Sequence, residues 1–149
     1  MIEPEAVIMK CKVKMQATDL PARDVNPFGP DSSDSYSKIF VDGTRRHKTE
    51  VKNNELFPIW EPFRMFISDG ALKIGSELHL AETFAIKDLD VLVKIEIWDE
   101  DLLYDDYLGQ VEIKLRDFLR KGTNRYRVLQ KNGQQVVECS ELRIDIVEF

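Results

Sequence analysis

Two short stretches of this chain crowd carboxylates together. Asp24, Asp31 and Asp34 fall in the first, and Asp99, Asp101, Asp105 and Asp106 follow directly on Ile97-Trp98 in the second. Carboxylates this close repel one another if the two stretches meet in space. A hard cation relieves that repulsion, and calcium accepts about six to eight oxygen ligands in flexible geometry. Aspartate also caps backbone amides in turns, which accounts for any one of these residues taken singly. The two groups together point to calcium. An EF-hand loop starting at Asp99 is excluded, because its sixth position would be Tyr104 where the sharp turn needs glycine and its twelfth would be Gln110 rather than glutamate.

The elements that must hold these loops are strands. In the run from Val7 to Met15 the odd positions are apolar, while Lys10, Lys12 and Lys14 face outward. The same alternation recurs over residues 91–97, 111–115 and 142–146, and shorter candidates span 36–41, 48–52, 63–67 and 126–129. Turn signals stand at Asp42-Gly43 and Asn132-Gly133. The expected fold is all-β, an eight-stranded antiparallel β-sandwich. Residues 68–90 form an insert whose 77–86 portion fits either a short helix or an extra strand.

Bulk properties narrow the function. The chain has 149 residues, 43% hydrophobic and 32% charged, with a formal net charge of −6. One domain spanning 1–149 is the expectation. A general nucleic-acid binder needs an excess of Lys and Arg, so nucleic acid is not expected as a partner. Cys11 and Cys139 show no metal or disulfide spacing, which fits a reducing cytosol. No apolar run approaches the roughly 20 residues of a membrane span, and the start of the chain lacks a signal-peptide pattern. Catalysis is not expected: there is no nucleophile elbow, no His-Glu-x-x-His pair and no phosphate-cradling glycine loop. His47 and His79 are expected at the surface, with Cys11, Trp60 and Trp98 in packing roles.

Four motifs in order resemble the C2 domain family. They are Leu20-Pro21-Ala22-Arg23-Asp24 followed by Asp34-Ser35-Tyr36-Ser37-Lys38; Phe57-Pro58-Ile59-Trp60-Glu61-Pro62-Phe63; Trp98-Asp99-Glu100-Asp101; and Asp106-Tyr107-Leu108-Gly109. The resemblance implies a calcium-dependent phospholipid-binding module with three loops at one end, about residues 19–35, 52–57 and 98–107. It also implies that the insert at about 68–90 lies at the opposite end and that the strand order is the circularly permuted type II. Within the family, loop 1 and Asn53-Asn54-Glu55 are similar to the C2 domain of the cytosolic phospholipase, which makes Asn54 a candidate oxygen ligand beside Asp24, Asp31, Asp34, Asp99, Asp101, Asp105 and Asp106. Asp24 and Asp31 compete for the first carboxylate position, as Asp105 and Asp106 do for the last.

Apolar side chains at the loop tips, Val25 and Phe28 in loop 1 and Leu102, Leu103 and Tyr104 in loop 3, are candidates for membrane contact. Burying each fully is worth about 1.5–3 kcal/mol. Lys38, Arg46 and Lys48 form a possible phosphoinositide patch, although Glu50 stands where the family has a second lysine. The expected function is targeting of a parent protein from the cytoplasm to membranes when calcium binds. The alternative is a calcium-independent C2 scaffold for a protein partner.

Overall fold

Alternation of apolar and polar residues becomes strand almost wherever the sequence sustains it. The structure, a computed structural model, describes residues 7–20, 33–68, 70–76, 82–130 and 140–148. Ten strands run through the described residues: β1 (Val7–Thr18), β2 (Ser35–Val41), β3 (Thr44–Lys48), β4 (Phe63–Ser68), β5 (Ala71–Ser76), β6 (Thr83–Ala85), β7 (Leu92–Asp99), β8 (Asp106–Lys114), β9 (Gly122–Arg127) and β10 (Glu141–Glu148). A single helical turn, α1 (Leu115–Phe118), follows β8.

The strands form two antiparallel sheets, a six-stranded one in the order β6-β5-β4-β1-β10-β9 and a four-stranded one in the order β3-β2-β7-β8. The expected antiparallel sandwich is therefore what forms. The strand count differs because the insert contributes β5 and β6, which extend the six-stranded sheet beyond β4. Leu72 and Ile74 of β5 point into the core and sustain the alternation there. Of residues 77–86, for which the sequence allows helix or strand, 83–85 form β6, and 77–81 lie outside the described residues.

Several boundaries also move: β8 begins at Asp106 rather than 111, and β9 spans Gly122–Arg127 rather than 126–129. The third strand occupies Thr44–Lys48 rather than 48–52. Asp42 and Gly43 both adopt positive φ, 50° and 83°, and make the tight two-residue turn that returns the chain at once, with Val41 opposite Thr44. Leu115, expected to end a strand, starts α1 instead, its N–H donating to the Val91 carbonyl at 2.8 Å.

Inward-facing side chains of both sheets fill the space between them. Val13, Met15, Met65, Ile67 and Ile144 come from one sheet, Ile39, Val41, Val93, Ile95 and Ile97 from the other. Trp60, Phe63 and Phe118 plug the remaining volume. Cys11 belongs to this core, and burial pushes its thiol up to about 11, so it is an inert packing residue.

Register decides where the chemistry goes. Ser35 lies opposite Asp99, and Asp99 lies opposite Asp106. β1 runs toward Leu20 at the same end, where the Leu20 N–H donates to the Leu56 carbonyl at 3.1 Å. The turn between β4 and β5 falls beside Val7, at the other end of β1. The aspartate-bearing ends of β2, β7 and β8 thus share one edge of the sandwich with the 52–57 segment.

Candidate functional site

Asp34 is the junction of this end. Its N–H donates to Asp99 Oδ1 at 2.7 Å, its carbonyl accepts the Glu100 N–H at 2.8 Å, and its Oδ1 accepts the Asn54 N–H at 2.7 Å. Ser35 exchanges two backbone hydrogen bonds with Lys52, at 2.9 and 3.1 Å, and the Glu55 N–H donates to the Ser33 carbonyl at 2.9 Å. These bonds bring the segments holding Asp34, Asn54 and Asp99 together. Asn54 contributes through its backbone, held at φ 55°, a left-handed conformation that asparagine tolerates better than most residues.

Asp99 is fully buried and Asp34 half-buried, so the protein has already taken one of these carboxylates out of water. Asp101 and Asp105 on the following loop, and Asp106 at the start of β8, stay exposed. Asp105 accepts from the Tyr36 hydroxyl and, at 3.2 Å, from the Asp101 N–H. The Tyr36 bond, above all, holds the Asp105 carboxyl below the ordinary range. Burial and the Asp105 bond push the Tyr36 phenol up. Among the described residues no three His, Cys, Asp or Glu side chains stand close enough together to hold a metal. Asp24, Asp31, Val25 and Phe28 lie outside the described residues.

Between these carboxylates the loop projects apolar side chains into solvent. Leu102 is 98% exposed, Leu103 86% and Tyr104 82%. They do not fold back against the insert or one another.

Against known proteins, residues 9–130 match the C2 domain family. The chain belongs to the C2 domain family. Solved structures share its fold. BON1-C2B is 21% identical, with a TM-score of 0.62 over 95% of this chain and 92% of that one. A structure holding two C2 domains of extended synaptotagmin 2 is 18% identical, with a TM-score of 0.61 over 99% of this chain and 44% of that one. Human GIVD cytosolic phospholipase A2, in complex with an inhibitor and terbium chloride, is 19% identical, with a TM-score of 0.57 over 97% of this chain and 18% of that one. The chain thus spans a minor part of those two longer proteins.

The basic residues of this C2 domain separate. Lys38 and Lys48 lie opposite one another on β2 and β3. The Lys38 ammonium sits 4.4 Å from the Trp98 ring centroid, and that of Lys48 sits 4.6 Å from the Tyr36 centroid. Trp98, expected only to pack, is half-buried on the outer face as a ledge for Lys38, its indole edge-on to Tyr107. Arg46 falls in the register shift between β2 and β3, and its guanidinium stacks 3.8 Å from the Phe84 centroid. Glu50 accepts the Glu61 N–H and pairs with Lys52 at 3.6 Å. His47 departs from expectation: it is half-buried 4.7 Å from the Phe63 ring, and burial lowers its basicity. His79 lies outside the described residues.

The sequence motifs flagged Asp34, Asp99 and the exposed tip, but not the Tyr36 hydroxyl bonded to Asp105. The one signal for it was its place between Asp34 and Lys38.

Proposed function

We propose that this C2 domain docks a parent protein onto phospholipid membranes in response to calcium, without catalysis of its own. The observation that carries the reading is the Leu102-Leu103-Tyr104 tip, solvent-exposed and bracketed by Asp99, Asp101, Asp105 and Asp106. Contiguous exposed apolar residues on a rigid scaffold mark an interaction site. No helix among the described residues is long and apolar enough to cross a membrane, so contact at such a tip is peripheral.

The donor set fits calcium, being all hard oxygen: Asp34, Asp99, Asp101 and Asp105 or Asp106, with Asn54 beside Asp34 and Asp24 or Asp31 from loop 1. Bound there, a cation would neutralise these carboxylates and supply attraction for lipid phosphate. The chain's own residues do the rest. Asp34 and Asp99 anchor the loops to one another through backbone hydrogen bonds. The carboxylates repel anionic headgroups until they are neutralised, and Leu102 and Leu103 then enter the interface. Lys38 and Lys48, set on the outer face beside this end, add attraction to anionic lipid. The expected location is the cytoplasmic face of membranes, reached from the cytoplasm.

Co-sedimentation with liposomes, with millimolar calcium and with chelator, tests this reading. Binding only with calcium supports it. Binding unchanged by chelator favours a calcium-independent module.

A further inference from the structure

Nothing apolar among the described residues fixes the tip of loop 3, since Leu102, Leu103 and Tyr104 all stand in solvent. Ordering an unpacked loop costs conformational entropy at each residue. Polar bonds offset that cost here, and they converge on one side chain. Asp105 Oδ1 accepts the Asp101 N–H at 3.2 Å, across the base of the tip, while Oδ2 accepts the Tyr36 hydroxyl from β2. The Asp101 carboxylate accepts the Leu102 N–H at 2.7 Å. A single carboxylate therefore closes the loop on itself and ties it to a neighbouring strand.

Register explains why Asp105, and not its neighbour, takes this part. Asp106 lies opposite Asp99, and Asp99 opposite Ser35, so these three share one face of the four-stranded sheet. Successive side chains alternate between faces. Asp105 accordingly emerges on the other face, with Tyr36, Trp98 and Tyr107, where Tyr36 lies opposite Trp98 and Trp98 opposite Tyr107. Tyr36 is a fixed point on that face. Its ring is buried, with the Lys48 ammonium 4.6 Å and the Lys38 ammonium 5.9 Å from its centroid. The same two lysines attract the Asp105 carboxylate toward Tyr36.

We propose that Tyr36 and Asp105 are positioning residues, a clasp that holds the Leu102-Leu103-Tyr104 tip in the conformation that docks on phospholipid. The inference rests on the membrane-docking reading of that tip. Neither residue needs to touch lipid. A tip already held in its bound shape has little order left to acquire at the membrane, so cutting the clasp weakens docking although every apolar atom of the tip remains. The Tyr36 hydroxyl is the atom on which this turns, because the ring itself stays packed without it.

Backbone nitrogen-15 relaxation, in chelator and without lipid, reads the clasp directly. Order parameters at Leu102, Leu103 and Tyr104 lie near the rigid value of about 0.85 in the wild-type chain and fall below about 0.6 in Tyr36→Phe. Asp105→Ala, a change at an exposed position that leaves the core alone, gives the same fall. Asp105→Asn keeps the order, because its carboxamide oxygen accepts the Asp101 N–H and its NH2 group donates to the Tyr36 oxygen. Vesicles of phosphatidylcholine and phosphatidylserine, titrated in calcium, bind Tyr36→Phe about fivefold more weakly than wild type, the scale of one hydrogen bond. Its calcium-induced rise in melting temperature stays at the wild-type value. Unchanged tip order in Tyr36→Phe and Asp105→Ala, disorder in Asp105→Asn, or wild-type vesicle affinity in Tyr36→Phe overturns the proposal. So does loss of the calcium-induced rise in Tyr36→Phe, which would make Tyr36 part of the cation site. If the wild-type chain binds no vesicles in calcium, the docking reading fails, while the relaxation data still decide whether the clasp orders the tip.

Discussion

Leu103 and Leu108 are the same side chain five positions apart, one 86% exposed and the other fully buried. Between them the chain passes from an open loop into β8, where a register shift against β7 turns Leu108 inward. The difference is not one of hydrophobicity. Leu108 is answered by the opposing sheet within the same molecule, whereas nothing described covers Leu102 or Leu103. An apolar residue that the fold leaves uncovered, on the loop that also holds the carboxylates, is available to something outside the fold.

The comparison breaks most visibly at the buried member. Leu108→Ala should cost about 3 kcal/mol of stability, the cavity penalty of a core leucine, and lower the melting temperature by several degrees. Membrane affinity of the surviving folded fraction should not change. A loss of binding with normal stability would mean that Leu108 is not the structural control it is taken to be.

Calcium linkage comes next. An ion that binds the native loops and not the unfolded chain stabilises by about 2.7 kcal/mol at a hundredfold excess over its Kd. Asp99→Asn with Asp101→Asn should abolish that rise in melting temperature while the protein stays folded, because an amide oxygen can still accept the Asp34 N–H. A double variant that still gains the wild-type stabilisation would place the cation elsewhere.

The exposed pair should show the reverse of Leu108. Leu102→Ala with Leu103→Ala is expected to weaken calcium-dependent vesicle binding tenfold or more, roughly 1.4 kcal/mol, with the melting temperature within a degree of wild type. Binding that persists on phosphatidylcholine at high salt would sharpen the assignment to apolar insertion, since salt screens exposed charges and leaves apolar burial intact. The smallest effect belongs to Ser37, whose buried hydroxyl has no hydrogen-bond partner among the described residues. Ser37→Ala should leave stability unchanged or raise it by up to about 1 kcal/mol in a denaturant titration.

What the sequence disclosed follows from how local each signal is. Alternation is local, so β1, β4, β7 and β10 were legible, and so were aspartates placed just past strand ends. β3 was not: Arg45, Arg46 and His47 hide its alternation, and only the geometry of Asp42-Gly43 fixes where it starts. β5 was missed because Leu72 and Ile74 sit in an insert whose neighbouring portion, 77–86, reads equally well as helix or extra strand. Features made by register were invisible. Arg46 leaves the lysine pair because one residue is extra in β3, and Glu61 and Pro62 leave the β1 ladder because one residue is extra before β4. Neither mismatch can be counted until both strands are paired.

The place of β1 between β4 and β10 has a mechanical side. A pull between Val7 and the aspartate-bearing loops would load β1 along its axis, so all the hydrogen bonds of its two ladders would resist together in shear. A pull between Val7 and Glu148, both at one end of the six-stranded sheet, would open β1 and β10 one pair at a time, starting at Cys11 and Glu148. The same sheet is therefore a stiff tie in one direction and a zipper in the other, and the points of attachment decide which of the two a load meets.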